Sequence, residues 1–380
     1  MQVSTSPPPT DCTIVGASFA GLSCATALAR AGFNVLVAEK KSDPGEKLHT
    51  TGIIVKDAID QIPLLDSLPA ELVRRIDGVR LYAPNLRYVD LYAPGYYFLA
   101  TDTPLLMRWL AAQAEHAGAT VLCRAPFQSA ERIQGGLDLG PLGTTRFLIG
   151  ADGPNSRVAQ CLRLGRNAKF LFGVEHEYEG VLIADSDKLH CFLDRRIAPG
   201  YIAWVVPGVG VTQVGLARRA GRRQLSTEAA MSALLNKIAG LFDFRDRQPT
   251  SIRAGMIPCG GVVRPVAANR VLLVGDAAGM VSPVTAGGIH TALKHGLAAG
   301  NAVADFLAGR REDPSHWFVR SYPRFRTKRL LRFLFDHFQS DLIFNLLLNT
   351  RPMRTAAGIV YFNHKGVFNP RAATTGSRPR

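Results

Sequence analysis

Cysteine is scarce in this 380-residue chain. The six residues, Cys12, Cys24, Cys123, Cys161, Cys191 and Cys259, form no CxxC pair and no cluster with histidine. That spacing excludes the common zinc frameworks and a disulfide scaffold, so no metal site and no structural disulfide are expected, and the chain reads as cytoplasmic. Long apolar runs are missing too. None reaches the ~18 residues a membrane-spanning helix needs. The opening MQVSTSPPPTD lacks the positive start and apolar core of a signal peptide and reads as a short disordered lead. No internal repeat is present. Acidic residues are under-represented, 30 Asp and Glu against 45 Lys and Arg, a formal net charge of +15. The excess is local: between Arg310 and Arg332 eight basic residues face two acidic ones. No nucleic-acid recognition motif accompanies this charge, so nucleic acid is not an expected partner. An anionic membrane surface or an acidic redox partner fits the charge, with a solvated helix face as the plain alternative.

What the chain does have is glycine at three punctuated turns. The first is Gly16-Ala17-Ser18-Phe19-Ala20-Gly21. It follows the apolar run Cys12 to Val15, suited to a buried parallel strand, and opens a helical pattern from Phe19 to Ala31 that Gly32 stops. Phe33 to Ala38 is a second strand, ending at Glu39. Such a βαβ unit is the context a dinucleotide fingerprint requires. Gly16 permits the tight turn, Gly21 lets helix and sheet approach, and the helix's free N–H groups face a pyrophosphate. Glu39, 18 residues beyond Gly21, is placed to accept hydrogen bonds from an adenosine ribose. The fingerprint's middle glycine is Ser18 here, which narrows the approach without closing it.

The second turn, Gly150-Ala151-Asp152-Gly153, follows a strand from Thr145 to Ile149 and continues as Pro154-Asn155-Ser156-Arg157, turn-forming by chemistry. The third, Gly275-Asp276-Ala277-Ala278-Gly279, ends the strand Arg270 to Val274. Asp276 at that strand end can accept from a ribityl hydroxyl. Pro283 to Ile289, with Gly287 and Gly288, then opens a helix through Ala308, whose N-terminal dipole suits the pyrimidine edge of a flavin. Three such turns in this order outline the path of one long dinucleotide, FAD.

These motifs resemble the FAD-dependent oxidoreductases built like p-hydroxybenzoate hydroxylase, over roughly residues 10 to 310. Within that group, GDAAGMVSPVTAGGIHTALKHGLAAG is most similar to the geranylgeranyl reductase branch, and so is Pro44-Gly45-Glu46-Lys47 through Thr51-Gly52-Ile53. Aromatic hydroxylases usually carry His after the GDAA run, where this chain has Gly279. The reductases often carry a cysteine in the loop where His49, Thr50 and Thr51 stand. Their pocket motif Tyr-x-Trp-x-Phe-Pro is met in part by Tyr201, Trp204 and Pro207, with Tyr201 one place early and Val206 for the Phe. Halogenases have a related motif in the same region, and Trp204 reads equally as a core residue of a strand.

The resemblance implies an α/β fold: a Rossmann-like FAD-binding domain with an inserted mixed β-sheet substrate domain and a helical C-terminal segment. The expected bounds are 1–77, 101–168 and 258–312 for the FAD domain, 78–100 and 169–257 for the sheet, and 313–380 for the helices, with 370–380 disordered. The sheet should roof the flavin with the substrate between. Implied cofactor-binding residues are Gly16, Ser18, Phe19, Ala20 and Gly21 in the first turn, then Glu39 with Lys40. Arg108 follows, although the family commonly has Asp-Arg where this chain has Asp102-Thr103. Asp152, Gly275, Asp276, Pro283, Gly287, Gly288 and Ile289 complete the set. Leu330 to Leu348 is rich in Leu and Phe beside a basic run. Helices covering the FAD domain are the first reading of it, and an interfacial segment admitting a lipid is the second.

The activity this implies is reduction of double bonds in a large apolar, prenyl-like small molecule by hydride from reduced flavin. Tyr201 and His49 are the candidates for supplying the proton. The electron donor is NAD(P)H or a redox partner, since no second nucleotide fingerprint is present. The alternatives are an FAD monooxygenase that hydroxylates or epoxidises, a halogenase, a prenyl cyclase, and a non-enzymatic electron-transfer flavoprotein. Location would be cytoplasmic, or peripheral at the membrane.

Overall fold

The computed structural model describes residues 8–219, 226–245 and 247–362. Residues 1–7 of the opening lead and residues 370–380 lie outside them, whereas Thr10 and Asp11, expected in the disordered lead, begin the first strand, Thr10–Val15. The chain divides into two compact units, residues 1–72, 101–173 and 253–333, and residues 73–100, 174–252 and 334–380. The C-terminal helical part is thus divided after Phe333.

The first unit is built on a sheet whose strands run in the order Ala267–Ala268, Val271–Leu273, Thr144–Gly150, Thr10–Val15, Val35–Ala38, Thr120–Leu122. Along this path all neighbours are parallel except the first pair, and Gly136–Asp138 adds antiparallel to Thr144–Gly150. These strands are short and almost wholly apolar because their inner members are buried on both faces, as in other parallel sheets. Two helices meet closely in this unit, Phe19–Arg30 and Ile289–Leu307. The first is nearly all Ala, Leu, Cys and Ser on its buried side. A Cβ on Gly296 would lie 2.4 Å from the Ala20 carbonyl oxygen, and one on Gly300 2.6 Å from that of Cys24. Small residues on both helices therefore set their separation.

The second unit carries most of a mixed seven-stranded sheet, ordered Ser251–Pro258, Phe170–Glu179, Val211–Arg218, Ala203–Pro207, Lys188–Phe192, Gly78–Tyr82, Tyr88–Tyr92. Lys188–Phe192 and Gly78–Tyr82 run parallel, while the hairpin Ala203–Pro207 to Val211–Arg218 is antiparallel. One face buries Val174, Tyr178, Phe192, Val205, Val214 and Leu216 against the helix Thr227–Ile238, through Ala230, Met231, Leu234 and Ile238. The period of two along each strand then sends Glu175, Glu177, Trp204 and Gln213 to the other face.

The C-terminal segment is helical as expected, with helices Arg326–Phe338, Asp341–Leu347 and Arg351–Phe362. Leu330, Leu331, Phe333, Leu334 and Phe338 are exposed, and Arg332 is the buried member of its helix. The physical reason is that polar side chains on the other side of these helices are already engaged, as described below.

Candidate functional site

The three glycine turns, up to 260 residues apart in sequence, come together in the first unit. Parallel pairing sets Val15 opposite Gly150, and Ala151 N–H donates to the Val15 carbonyl at 2.8 Å. Val274 N–H donates to the Gly150 carbonyl at 2.9 Å, which brings in the third turn. Gly16 has φ +103°, and a Cβ there would meet the Ala151 carbonyl oxygen at 2.5 Å. A Cβ on Gly21 would lie 2.2 Å from the Gly16 carbonyl oxygen. The first turn thus requires glycine at both ends, for left-handed backbone at one and for contact at the other.

Ser18 resolves the departure from the fingerprint. Its side chain turns back onto its own helix as N-cap and accepts from Gly21 N–H at 3.2 Å. Phe19 and Ala20 follow as the first residues of that helix. Glu39 is buried at the end of its strand, where one carboxylate oxygen accepts from Ala17 N–H at 2.8 Å and the other from Lys41 N–H at 2.9 Å. The carboxylate therefore clamps the first turn from the neighbouring strand. Lys40 is exposed. Its neighbour Lys41 turns inward, donating to the Pro44 and Glu46 carbonyls at 2.9 Å, and burial holds its ammonium below the ordinary lysine range.

Asp152 is spent within its own loop. It accepts from the Ser156 hydroxyl and Arg157 N–H, both at 2.6 Å, and from Val158 N–H at 3.1 Å, opening the short helix Arg157–Cys161. Burial nonetheless raises its pKa. Asn167, which sequence reasoning passed over, ties the second turn to the third. Its side-chain amide donates to the Pro154 carbonyl at 3.0 Å and to that of Asp276 at 2.9 Å. A small cleft lies there, lined by Pro154, Asn155, Ser156, Gly165, Asn167 and Ala277. Asparagine carries no spacing signal, so nothing in the sequence marked Asn167.

Asp276 stands apart. None of the hydrogen bonds of the described residues ends on its carboxylate, although neighbouring protein surrounds it closely enough that burial pushes its pKa up to about 6. Part of the residue still meets open space. It lies next to Gly288, the N-cap of Ile289–Leu307, where a Cβ would sit 3.5 Å from its Oδ1. That 19-residue helix has no side-chain cap, so its dipole and first amides are open to a ligand beside Pro283, Gly287 and Ile289. Gly279 closes the third turn at φ +70°. A Cβ there would lie 2.4 Å from the Gly261 carbonyl oxygen, so this backbone excludes the larger residue that aromatic hydroxylases carry.

Arg108 is half-exposed on the helix Thr103–His116 and pairs with Asp43 at 2.7 Å. His49 is exposed, with Nδ1 hydrogen-bonded to the Ala254 carbonyl. In the second unit Tyr201 lies in the turn leading into Ala203–Pro207, its N–H donating to the Ala198 carbonyl at 3.0 Å. Pro207 ends that strand. Trp204 is partly exposed, and its ring lies against Gly215, whose Cβ would be 2.4 Å from the indole. The Trp204 Nε1–H donates to Glu175 Oε2 at 2.8 Å, and Gln213 donates to Glu177 at 3.2 Å on the same sheet face. Buried Glu175 was also missed, because a lone glutamate in a strand pattern is indistinguishable from a solvated one.

A dinucleotide fits the first unit. The clamped first turn, the uncapped long helix, and a carboxylate at its N-terminus with no hydrogen-bond partner among the described residues are features that a bound FAD would use. The sequence pattern of the FAD binding domain family matches residues 9–329. The chain is 28% identical over 316 residues to digeranylgeranylglycerophospholipid reductase 2 of Methanosphaera stadtmanae, covering 78% of each chain. Among solved structures it is similar to a geranylgeranyl bacteriochlorophyll reductase-like protein from Thermoplasma acidophilum. There the TM-score is 0.77 and the identity 19%, with 94% of this chain and 97% of that one covered. A flavin-dependent brominase has the same fold, with a TM-score of 0.70 at 14% identity, covering 92% of each chain.

Proposed function

From the premise that this chain belongs to the FAD binding domain family and is an FAD-dependent oxidoreductase, we propose that it reduces carbon–carbon double bonds of a prenyl lipid. The observation that carries the choice of reaction is the relationship to reductases of digeranylgeranylglycerophospholipid across nearly four-fifths of the chain. When bound and reduced, FAD supplies the hydride. The chain's own residues hold and orient it. Glu39 accepts from the ribose, the amides of the first turn and the start of Phe19–Arg30 meet the pyrophosphate, and Asp276 with the open end of Ile289–Leu307 meets the ribityl and pyrimidine groups. Lys40, Arg108 and Asp152 stay in this proposal as flanking groups. Hydride adds to one alkene carbon and a proton to the other, so the product gains two hydrogens. The proton comes from water or from a pocket acid, for which Tyr201 and His49 are the candidates. The lipid is apolar and the chain would meet it at the membrane surface; no helix among the described residues is long and apolar enough to cross a membrane. Electrons arrive from NAD(P)H or a redox partner.

Anaerobic incubation of the reduced, FAD-loaded protein with an unsaturated prenyl lipid tests this by product mass. Gain of two hydrogens without oxygen supports the reductase. Gain of one oxygen, only in air, replaces it with a monooxygenase.

Trp204 and Glu175 give a second test. The indole N–H needs an acceptor when buried, and a lost partner costs about 1–3 kcal/mol. Glu175→Leu therefore lowers kcat/KM for the lipid by roughly tenfold or more, with bound FAD unchanged. Glu175→Gln, whose carbonyl still accepts, stays within a few-fold of wild type. Equal loss in both variants would show that the carboxylate's ionisation, and not its hold on Trp204, is what matters.

A further inference from the structure

Helix Arg326–Phe338 is inside out. A helix on a globular surface buries its apolar stripe and shows its charge to water. Here Arg332 is 5% exposed, whereas Leu330 is 59%, Phe333 54% and Phe338 69% exposed. At 100° per residue, Phe333, Leu330, Leu334, Phe338 and Leu331 span one continuous outward stripe, and Lys328, Arg329, Arg332 and Asp336 fall opposite it. The next helix continues the pattern: Leu342, Ile343, Leu346 and Leu347 are exposed while Phe344 and Leu348 are buried.

This orientation is anchored from the inner side. Within the second unit Asp336 pairs with Arg219 at 3.2 Å. The Gln339 side-chain oxygen accepts from Gly200 N–H at 2.7 Å, Asp341 accepts from Arg195 N–H at 2.9 Å, and Asn345 accepts from Asn85 N–H at 2.9 Å. Phe335 packs on Phe344, and Phe362 on Tyr96 and Phe98. Turning the leucines inward would break all of these at once. Among the described residues, nothing covers the apolar stripe.

Charge decides what that is. From Pro314 to Phe362 there are eight Lys and Arg and two acids, Asp336 and Asp341. Both acids are engaged by the inner contacts just described. What remains outward is Leu, Ile and Phe flanked by exposed Arg320, Arg324, Arg326, Arg329 and Arg351. Apolar side chains that enter an acyl layer, bordered by cations at headgroup level, are what an interfacial helix presents to an anionic bilayer. A second copy would set this cationic rim against itself.

We infer that the outward faces of Arg326–Phe338 and Asp341–Leu347 form a docking surface for an anionic phospholipid bilayer. This deepens the prenyl-lipid reading and rests on it for the choice of a bilayer over a protein.

The test is co-sedimentation of the full-length, FAD-loaded protein with vesicles of phosphatidylglycerol and phosphatidylcholine, and with phosphatidylcholine alone. The comparison is the triple variant Phe338→Ser, Leu342→Ser, Leu346→Ser. All three side chains are exposed, so retained FAD reports an intact fold. Wild type should bind the anionic vesicles, less so at high salt or without phosphatidylglycerol, and the variant should lose at least tenfold in partitioning. Equal partitioning of the two proteins overturns the inference. So does a wild-type dimer in solution that the triple variant dissolves, since a second copy would then own the face. A prenyl lipid in detergent separates this from the reductase reading. If docking is right and the chemistry is right, the variant reduces the detergent-borne lipid and fails on the vesicle-borne one. Vesicle binding by a wild type that reduces neither overturns the chemistry and leaves the docking surface standing.

Discussion

Glu39→Ala should lose FAD by roughly ten- to a hundredfold in affinity. The ribose side of that estimate is charge-assisted hydrogen bonding, worth ~1.5–3 kcal/mol, or one to two decades in Kd. The structure adds a second cause. The same carboxylate holds Ala17 N–H and Lys41 N–H, so its loss also frees two amides and loosens the turn that carries Gly16 and Ser18. The two causes separate in Glu39→Gln, which keeps one oxygen and removes the charge. Intermediate FAD affinity with an unchanged unfolding midpoint of the apo-protein assigns the effect to the ribose. Full loss together with a lowered midpoint assigns it to the turn. Titration of the apo-proteins with FAD, read by flavin fluorescence, gives the affinities. Unchanged affinity in the alanine variant would remove the first turn from the cofactor site.

Asp276→Asn should do the reverse to stability and still harm function. With a folded pKa of about 6 against the ordinary 3.8, Asp276 is easier to ionise in the unfolded chain than in the folded apo-protein. Its contribution is most favourable below the unfolded value and is lost as pH rises through about 6. At pH 7 the buried carboxylate therefore destabilises the apo-protein, by at most about 3 kcal/mol. Asparagine removes that penalty while keeping shape and one acceptor. Denaturant unfolding at pH 7 should show the variant more stable by ~1–3 kcal/mol. The gap should close as pH falls from 7 towards 4. FAD should bind the variant less tightly, or with an altered reduction potential, because the carboxylate beside Gly288 is what the open end of Ile289–Leu307 presents to a ligand. A variant no more stable than wild type at pH 7 would mean that the carboxylate already has a compensating partner.

The cofactor half of this protein was legible because its chemistry is written in local punctuation. Gly16, Gly21 and Gly275 mark positions where a side chain would strike backbone or meet a helix, and each follows an apolar strand run. Glu39 was legible through its interval from the first turn. The groups that join the turns were not. Asn167 holds Pro154 and also Asp276, 109 residues further along the chain, and no periodicity announces a long-range amide. Glu175 reads like any strand glutamate until the pairing of Ala203–Pro207 with its neighbours puts the Trp204 indole 2.8 Å away.

The amino-acid order by itself determined the alternation of strand and helix, the dinucleotide turns and the Leu- and Phe-rich character of residues 330–348 beside a basic run. Those depend on contacts within a few residues or on backbone freedom at single positions. Only the tertiary structure decided which way the amphipathic helices face. A stripe of leucine and phenylalanine at helical spacing is the same pattern whether it points in or out. On the inner side, Asp336, Gln339, Asp341 and Asn345 make the ion pair and hydrogen bonds that hold these helices in that orientation.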